Sequence, residues 1–178
     1  MEEQQAITLA RSGDKVAFGE LVSLYKNPIL RYLYRLTGDF EKASDLTQDT
    51  FVKAYKNLND VRVDSNFKAW LYRIATNEAS SHWRRVRILS FISFDGAKSP
   101  DKTQDSTTII EDKITTRDAL KKVPLNQRQC LVLHFVEGFK YREIASTLGI
   151  SEDAVSKRIE RGKEAFKHAY NGGTSNEM

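Results

Sequence analysis

The stretch YREIASTLGISEDAVSKRIERG, Tyr141 to Gly162, constrains the fold more than any other part of the chain. Ile144 and Leu148 are four residues apart, as are Val155 and Ile159, so each pair lies on one face of a helix. Between the pairs stands Leu-Gly-Ile-Ser. Gly149 can close the first helix in a left-handed conformation at little steric cost. Ser151 can cap the second helix, and Glu152 and Asp153 in its first turn suit the positive end of the helix dipole. The small Ala145 falls where the two helices meet. Two helices joined by a short turn containing glycine read as a helix-turn-helix over residues 141–160. A chance amphipathic hairpin is the plainer alternative, but it does not require cap, glycine and apolar spacing to agree.

The rest of the chain is also helical in pattern. Only Pro28, Pro100 and Pro124 interrupt 178 residues, and strand-like alternation is weak throughout, so the expected fold class is all-α. Ala6 to Ala10 forms a short amphipathic turn stopped by Ser12-Gly13-Asp14. Asp14 caps a helix with Phe18, Leu21, Val22 and Tyr25 on one face. Asn27-Pro28 interrupts or restarts that helix, and Ile29, Leu33 and Leu36 extend its stripe to Thr37-Gly38-Asp39. A helix follows from about Phe40 to Leu58. After a polar turn, another runs from Phe67 to about Arg87. From Leu89 to about Ile109 the pattern fails, and Asp95-Gly96, Ser99-Pro100-Asp101 and Ser106-Thr107-Thr108 have the composition of a flexible linker. Helical spacing returns at Ile114, and Pro124 opens a further helix to Phe135. Two small helical domains are therefore expected, 14–88 and 113–170, joined by a linker over 89–112.

Catalysis has little to stand on. His82, His134 and His168 are scattered, no metal-ligand spacing surrounds them, and no phosphate loop or nucleophile elbow occurs. Neither an enzyme, a metal site nor a cofactor is expected. The single cysteine, Cys130, sits before Leu131-Val132-Leu133 and reads as a buried thiol. No signal peptide and no membrane-length apolar run is visible, so the expected location is cytoplasmic, without membrane insertion. The net charge of +4 permits a nucleic-acid partner without demanding one.

Two surfaces remain. In the second helix of the helix-turn-helix, acids occupy the first turn and bases gather from Lys157 onward. A major-groove reader uses early and middle residues of such a helix on base edges, and flanking bases on phosphates; a solvated charged face is the alternative for each residue alone. The second surface lies between Lys68 and Arg87. There Lys68, Arg73, Arg84, Arg85 and Arg87 face one acid, Glu78, with Phe67, Trp70, Tyr72 and Trp83 interleaved. Bases beside stacking platforms suit an opened strand, although Trp70 at helical spacing reads as core.

The segments DLTQDTFVKAYKNL (Asp45 to Leu58) and FKAWLYRIATNEASSHWRR (Phe67 to Arg85), followed by the closing helix-turn-helix, resemble in that order the extracytoplasmic-function bacterial RNA polymerase sigma factors. The resemblance spans about 14–88 and 113–168. It implies a sigma-2-like domain for core polymerase binding and −10 recognition, and a sigma-4-like domain for −35 recognition. Its implied partners are core RNA polymerase, through the clamp helices of the largest subunit, promoter DNA, and an anti-sigma factor.

The resemblance also assigns residues. Asp45, Gln48 and Asp49 would contact core polymerase, with Phe51 and Tyr55 nearer the protein's core. Asp64, Ser65, Asn66, Phe67 and Asn77 would form a pocket for a flipped −10 base, and Asn77 can both donate and accept on a base edge. Trp83, Arg84 and Arg85 would support the adjoining DNA. Ser156, Lys157, Arg158, Arg161 and Lys163 would read the −35 element, with Arg142 near the backbone. Glu160 departs from this picture: it can accept from a cytosine amino group or repel phosphate. The rival reading is a stand-alone helix-turn-helix regulator, which has no use for a clamp-binding helix and a base pocket in this order.

Overall fold

A computed structural model describes residues 2–60, 66–92 and 115–172, and every regular element among them is helical. The first half contains α1 (Glu3–Arg11), α2 (Lys15–Thr37), α3 (Phe40–Lys56) and α4 (Phe67–Ile92). The second contains α5 (Thr116–Lys122), α6 (Leu125–Leu131), α7 (Tyr141–Leu148) and α8 (Glu152–Asn171). The all-α expectation and the two helical bodies hold. Most of the expected linker, 93–112, lies outside the described residues.

Local chemistry sets the ends of these helices. The Asp14 carboxylate accepts from the Val16 and Ala17 amides at 2.8 and 3.2 Å, and the Asp39 carboxylate accepts from Lys42 at 3.0 Å. Each cap satisfies amides that have no partner within the helix, a contribution of about 1 kcal/mol. The α7–α8 pair follows the expected scheme. The Gly149 backbone is left-handed at φ 66°, and the Ser151 hydroxyl accepts from the Ala154 amide at 3.1 Å. Glu143 reaches back to accept the Lys140 amide at 2.8 Å.

Four boundaries differ from the sequence reading. α1 starts at Glu3 rather than Ala6 and buries Ala6, Ile7 and Ala10 against α2. Its Glu3 accepts the Tyr25 hydroxyl at 2.8 Å. α2 runs straight through Pro28. An internal proline costs about 3 kcal/mol, but Tyr25, Ile29, Tyr32 and Leu33 are buried on both sides of it, each contributing roughly 1.5–3 kcal/mol. Packing therefore outweighs the broken backbone bond. α4 continues to Ile92, because neither glycine nor proline stands between Leu89 and Ile92. The helix after Pro124 is not uniform: beyond Leu131 it widens into a π-helical turn, Val132–Val136, where the Glu137 amide donates to the Val132 carbonyl at 3.0 Å.

The two halves are packed together, which the sequence reading did not foresee. One apolar core runs through both, from Ile7 and Leu33 to Leu133, Ile144 and Val155. Across the seam, rings form a run: Tyr32 to Tyr72 at 5.0 Å, then Tyr72 to Phe139 at 5.2 Å. The Tyr72 hydroxyl donates to Glu137 at 2.6 Å, and the Lys68 ammonium donates to the Glu137 carbonyl at 3.0 Å while lying 4.9 Å over the Phe139 ring. Gln129 donates to the Ser80 hydroxyl at 2.9 Å.

Arg128 provides the deepest contact. It is 4% exposed, and its guanidinium donates to the carbonyls of Leu36, Lys121 and Val123. Burial pushes its pKa down to about 10, so it stays cationic at neutral pH. Leu36 lies in the last turn of α2, where carbonyls lack helical partners. Gly38 follows it, left-handed at φ 69°, with the Lys121 side chain lying where a Cβ would stand. Within the second half, Gly162 lets α8 approach α6 closely: a Cβ there would meet Leu131 Cδ1 at 3.0 Å.

Arg128→Met is expected to lower stability by about 2–3 kcal/mol, since charged hydrogen bonds are lost and buried carbonyls left open. Urea denaturation reads the stability, and small-angle scattering should show a larger radius of gyration. A variant as stable and as compact as the parent would show that Arg128 does not hold the halves together.

Candidate nucleic-acid and partner interfaces

α3 separates its residues cleanly by face. Ala43, Leu46, Thr47, Thr50 and Ala54 are buried, while Asp45, Gln48 and Asp49 are exposed. Phe51 is buried at 9% exposure. Tyr55 departs from its expected inward position: it is 45% exposed, its ring meeting Phe18 edge-on at 5.0 Å.

Beside these residues α2 and α3 form an open groove of about 740 Å³. Phe18, Val22, Leu30, Phe51, Val52 and Tyr55 give it an apolar floor, and Gln48 stands at its edge. Val52 is 46% exposed. The α2 side of this groove escaped the sequence reading, which placed Phe18 and Val22 on one apolar face with Leu21 and Tyr25; both are only partly buried. The available signal was Val52, an apolar residue off the buried face of α3. Such a groove accepts the apolar face of a partner helix; Lys15, Lys26 and Lys56 also line it, while Asp45 and Asp49 stand on the exposed face of α3 outside that lining.

α4 presents a second surface. Asn77, Arg73, Arg84 and Arg85 are exposed. Trp83 is half-buried, and its indole Nε1 is buried with no hydrogen-bond partner among the described residues. His82 reports the local field: burial first, then the Lys42 and Arg85 cations, hold its pKa below the ordinary value. Glu78, the single acid of the segment, is buried and paired with Lys53 of α3, so it leaves the outer face positive.

The expected base pocket is only partly described. Asp64 and Ser65 lie outside the described residues. The Asn66 side-chain oxygen accepts from the Ala69 amide at 3.0 Å, which caps α4. Phe67 is 3% exposed and packs between Tyr25 and Trp70, each with ring centroids at 5.5 Å. Asn77, almost three turns further along α4, remains open to solvent. Trp70 packs against the core, as its spacing indicated.

The third surface is α8. Val155, Ile159 and Gly162 are buried against the rest of the second half. Lys157, Glu160, Arg161 and Lys163 are exposed, as is Arg142 on α7, while Ser156 and Arg158 are half-buried. Lys157 pairs with Asp153 at 2.8 Å, an exposed link of little strength. Arg158 stands half-buried near Cys130, where its cation favours the thiolate; burial is the larger influence and raises that thiol's pKa. The helix therefore offers Arg161 and Lys163 more freely than Arg158.

Among the described residues, no cluster of three or more His, Cys, Asp or Glu is placed to hold a metal ion. No described helix is long and apolar enough to cross a membrane.

Known proteins share this organisation. Residues 21–88 match the sigma-70 region 2 family, and residues 115–166 match sigma-70 region 4. The chain is 33% identical to the RNA polymerase sigma-H factor of Pseudomonas aeruginosa, over 94% of this chain and 93% of that protein. It is 28% identical to the extracytoplasmic-function sigma factor SigW of Bacillus subtilis, over 92% and 94% of the two chains. Among solved structures, CnrH in complex with the cytosolic domain of CnrY superposes with a TM-score of 0.70 at 25% identity, covering 96% of this chain and 97% of that one. The sigma factor RpoE of Bartonella quintana, solved with the anti-sigma factor NepR, shares the fold with a TM-score of 0.70 at 24% identity, over 86% and 96%.

The different settings of two α8 arginines lead to different outcomes on substitution. With duplex DNA carrying its recognition sequence, Arg161→Ala should reduce the salt slope of binding by about 0.9 per lost phosphate contact and leave the melting temperature in place. Arg158→Ala should instead lower the melting temperature. Fluorescence anisotropy across a salt series and a thermal melt separate the two effects, and an unchanged slope for Arg161→Ala would place that residue away from DNA.

Proposed function

The chain belongs to the sigma-70 family as an extracytoplasmic-function RNA polymerase sigma factor, a transcription initiation factor that directs core polymerase to promoters, and we propose that its work is divided among the three surfaces just described. The first half, 14–88, binds core polymerase and recognises and opens the −10 element. The second half, 113–170, reads the −35 element, with 89–112 connecting them. The observation that carries this reading is the coexistence on one body of an open apolar groove, beside which α3 exposes Asp45 and Asp49, and a cation-rich α4. A stand-alone regulator is not favoured, because it has no need of that pair.

The groove between α2 and α3 takes the clamp helices of the largest polymerase subunit. Gln48 at its edge and Asp45 and Asp49 on the exposed face of α3 form the polar contacts, and Tyr55 and the edge of Phe51 form the apolar ones. The physical support is that exposed Val52 and Tyr55 give a partner helix apolar area to bury, worth roughly 25 cal/mol per Å². Carboxylates beside them add steering and register more than affinity.

On α4, Asn77 reads an extruded −10 base, with Asp64, Ser65, Asn66 and Phe67 completing the pocket, and Trp83, Arg84 and Arg85 hold the opened strand. Unstacking a base costs a few kcal/mol, which a preformed pocket must offset. Support comes from the exposure of Asn77 beside the arginines. Phe67 acts through the shape of the floor, since it lies buried. On α8, Ser156, Lys157, Arg161 and Lys163 meet the −35 duplex, Arg142 meets its backbone, and Arg158 orients the helix from within. The protein works in the cytoplasm, where the polymerase is. An anti-sigma factor holds it inactive by covering the surfaces that polymerase needs, the α2–α3 groove foremost.

Run-off transcription with purified core polymerase and a promoter library tests the activity: transcripts from one sequence class should arise only when the protein is added. Asp45→Lys with Asp49→Lys is expected to weaken core binding by at least about tenfold without loss of helicity, because charge reversal at a rim acts on encounter and register. Unchanged affinity would remove the groove from the polymerase interface. Asn77→Ala should impair open-complex formation by roughly tenfold or more while sparing closed-complex binding, as expected for a lost base contact of about 1–3 kcal/mol. Equal loss in both steps would argue against a base pocket.

A further inference from the structure

α1 precedes the stretch that matches sigma-70 region 2, and none of the three surfaces uses it. Its nine residues fall short of the roughly 12–15 that an isolated helix needs, and its N-cap residue, Glu2, makes no side-chain cap. Its place therefore depends on what it touches. Ala6, Ile7 and Ala10 are buried, and the helix packs on α2 and on the helical turn Leu58–Asp60 that follows α3. At its first turn Glu3 accepts the Tyr25 hydroxyl at 2.8 Å. Burial, and then the Glu3 carboxylate, raise the pKa of Tyr25, so the hydroxyl stays protonated and keeps donating at neutral pH.

Tyr25 carries this contact on to α4. Its ring lies 5.5 Å from that of Phe67, and Phe67 lies 5.5 Å from Trp70. Tyr25 and Phe67 are 8% and 3% exposed, whereas Trp70 is half-buried. Phe67 is the first residue of α4, directly behind the Asn66 cap. α1 thus bears on Leu58 after α3 and, through Tyr25, on the start of α4. Close-packed interiors transmit strain rather than absorb it, so a shift of the tyrosine ring reaches Phe67. A recognition site needs its geometry held to about 0.5 Å by neighbours that packing has locked.

We propose that Glu3 and Tyr25 are positioning residues for −10 recognition. The Glu3–Tyr25 bond fixes the tyrosine ring, that ring fixes Phe67, and Phe67 sets the floor under the extruded base. Neither Glu3 nor Tyr25 touches DNA. Their effect falls on the opening step, where a preformed pocket must offset the cost of unstacking a base, and not on the duplex contacts made before it. The role rests on the −10 pocket assigned above to this half of the chain.

The test assembles holoenzyme from core polymerase and each full-length variant, on the promoter that run-off transcription selects, with each −10 base pair substituted in turn. Filter binding in the cold reads closed-complex affinity, and permanganate reactivity reads opening. Tyr25→Phe and Glu3→Ala are each expected to slow opening by roughly two- to tenfold, the range that one hydrogen bond commands, with closed-complex affinity unchanged. Each should also narrow the preference for the correct base at the position that Asn77→Ala makes indifferent, and at no other. Glu3→Gln keeps an acceptor oxygen and should behave as the parent. The double variant should be no slower than either single one, because both remove the same bond. A loss shared equally by both steps and by every base marks a smaller amount of folded protein and overturns the proposal. Full preference in the Tyr25 and Glu3 variants, where Asn77→Ala loses it, overturns the positioning role and leaves the pocket standing. Preference that survives Asn77→Ala as well removes the pocket, and the positioning role falls with it.

Discussion

A buried guanidinium with no carboxylate partner among the described residues finds its partners among carbonyls, and Arg128 finds them at the seam of this protein. Its bonds to Lys121 and Val123 shape the turn between α5 and α6, and its bond to Leu36 ties that turn to the end of α2. The contact is one-sided in chemistry: it satisfies late carbonyls of a helix that would otherwise face water, but it takes a cation out of water as well. Such a link specifies a geometry more than it supplies stability. The aromatic run from Tyr32 through Tyr72 to Phe139 adds apolar area on the same seam, at about 0.5–1.5 kcal/mol for each ring pair beyond its burial. Lys68 and Glu137 then close its polar edge.

α4 lies at the centre of this arrangement because it serves two partners with one surface. Leu71, Ala75 and Ala79 fill the core of the first half. Tyr72, Ser80 and Trp83 face the second half or the cavity beside it. Arg73, Asn77 and Arg85 remain in solvent. Docking thus leaves the α2–α3 groove and the outer face of α8 accessible while holding Trp83 and Arg84 at the cleft.

The helix-turn-helix was legible because each of its determinants is local. Gly149 ends α7 with a positive φ, Ser151 caps α8, and Ile144, Val155 and Ile159 are buried, all as their spacing indicates. Asp14 and Asp39 were legible for the same reason. The α3 rim was legible too, since Asp45, Gln48 and Asp49 fall opposite a buried apolar face. Pro28 was misleading because proline's local penalty is visible in a sequence, while the burial of Tyr25, Ile29, Tyr32 and Leu33 that outweighs it is not. Arg158 reads as one more cation on a basic helix, and its half-buried place near Cys130 has no local signature in the chain.

The sequence by itself determined the helices, their caps, the hairpin, and the order of segments that marks a sigma factor, because periodicity and capping act over a few residues and leave their signature there. The tertiary structure alone decided that the two halves share a core. It also decided that Lys68, Tyr72 and Arg128 bond partners 69, 65 and 92 residues away. Each of those side chains reads in isolation as an ordinary polar or solvated group. Whether a cation serves a phosphate, a carbonyl or a ring depends on which atoms folding brings within reach, and a distance through space has no local signature in the chain.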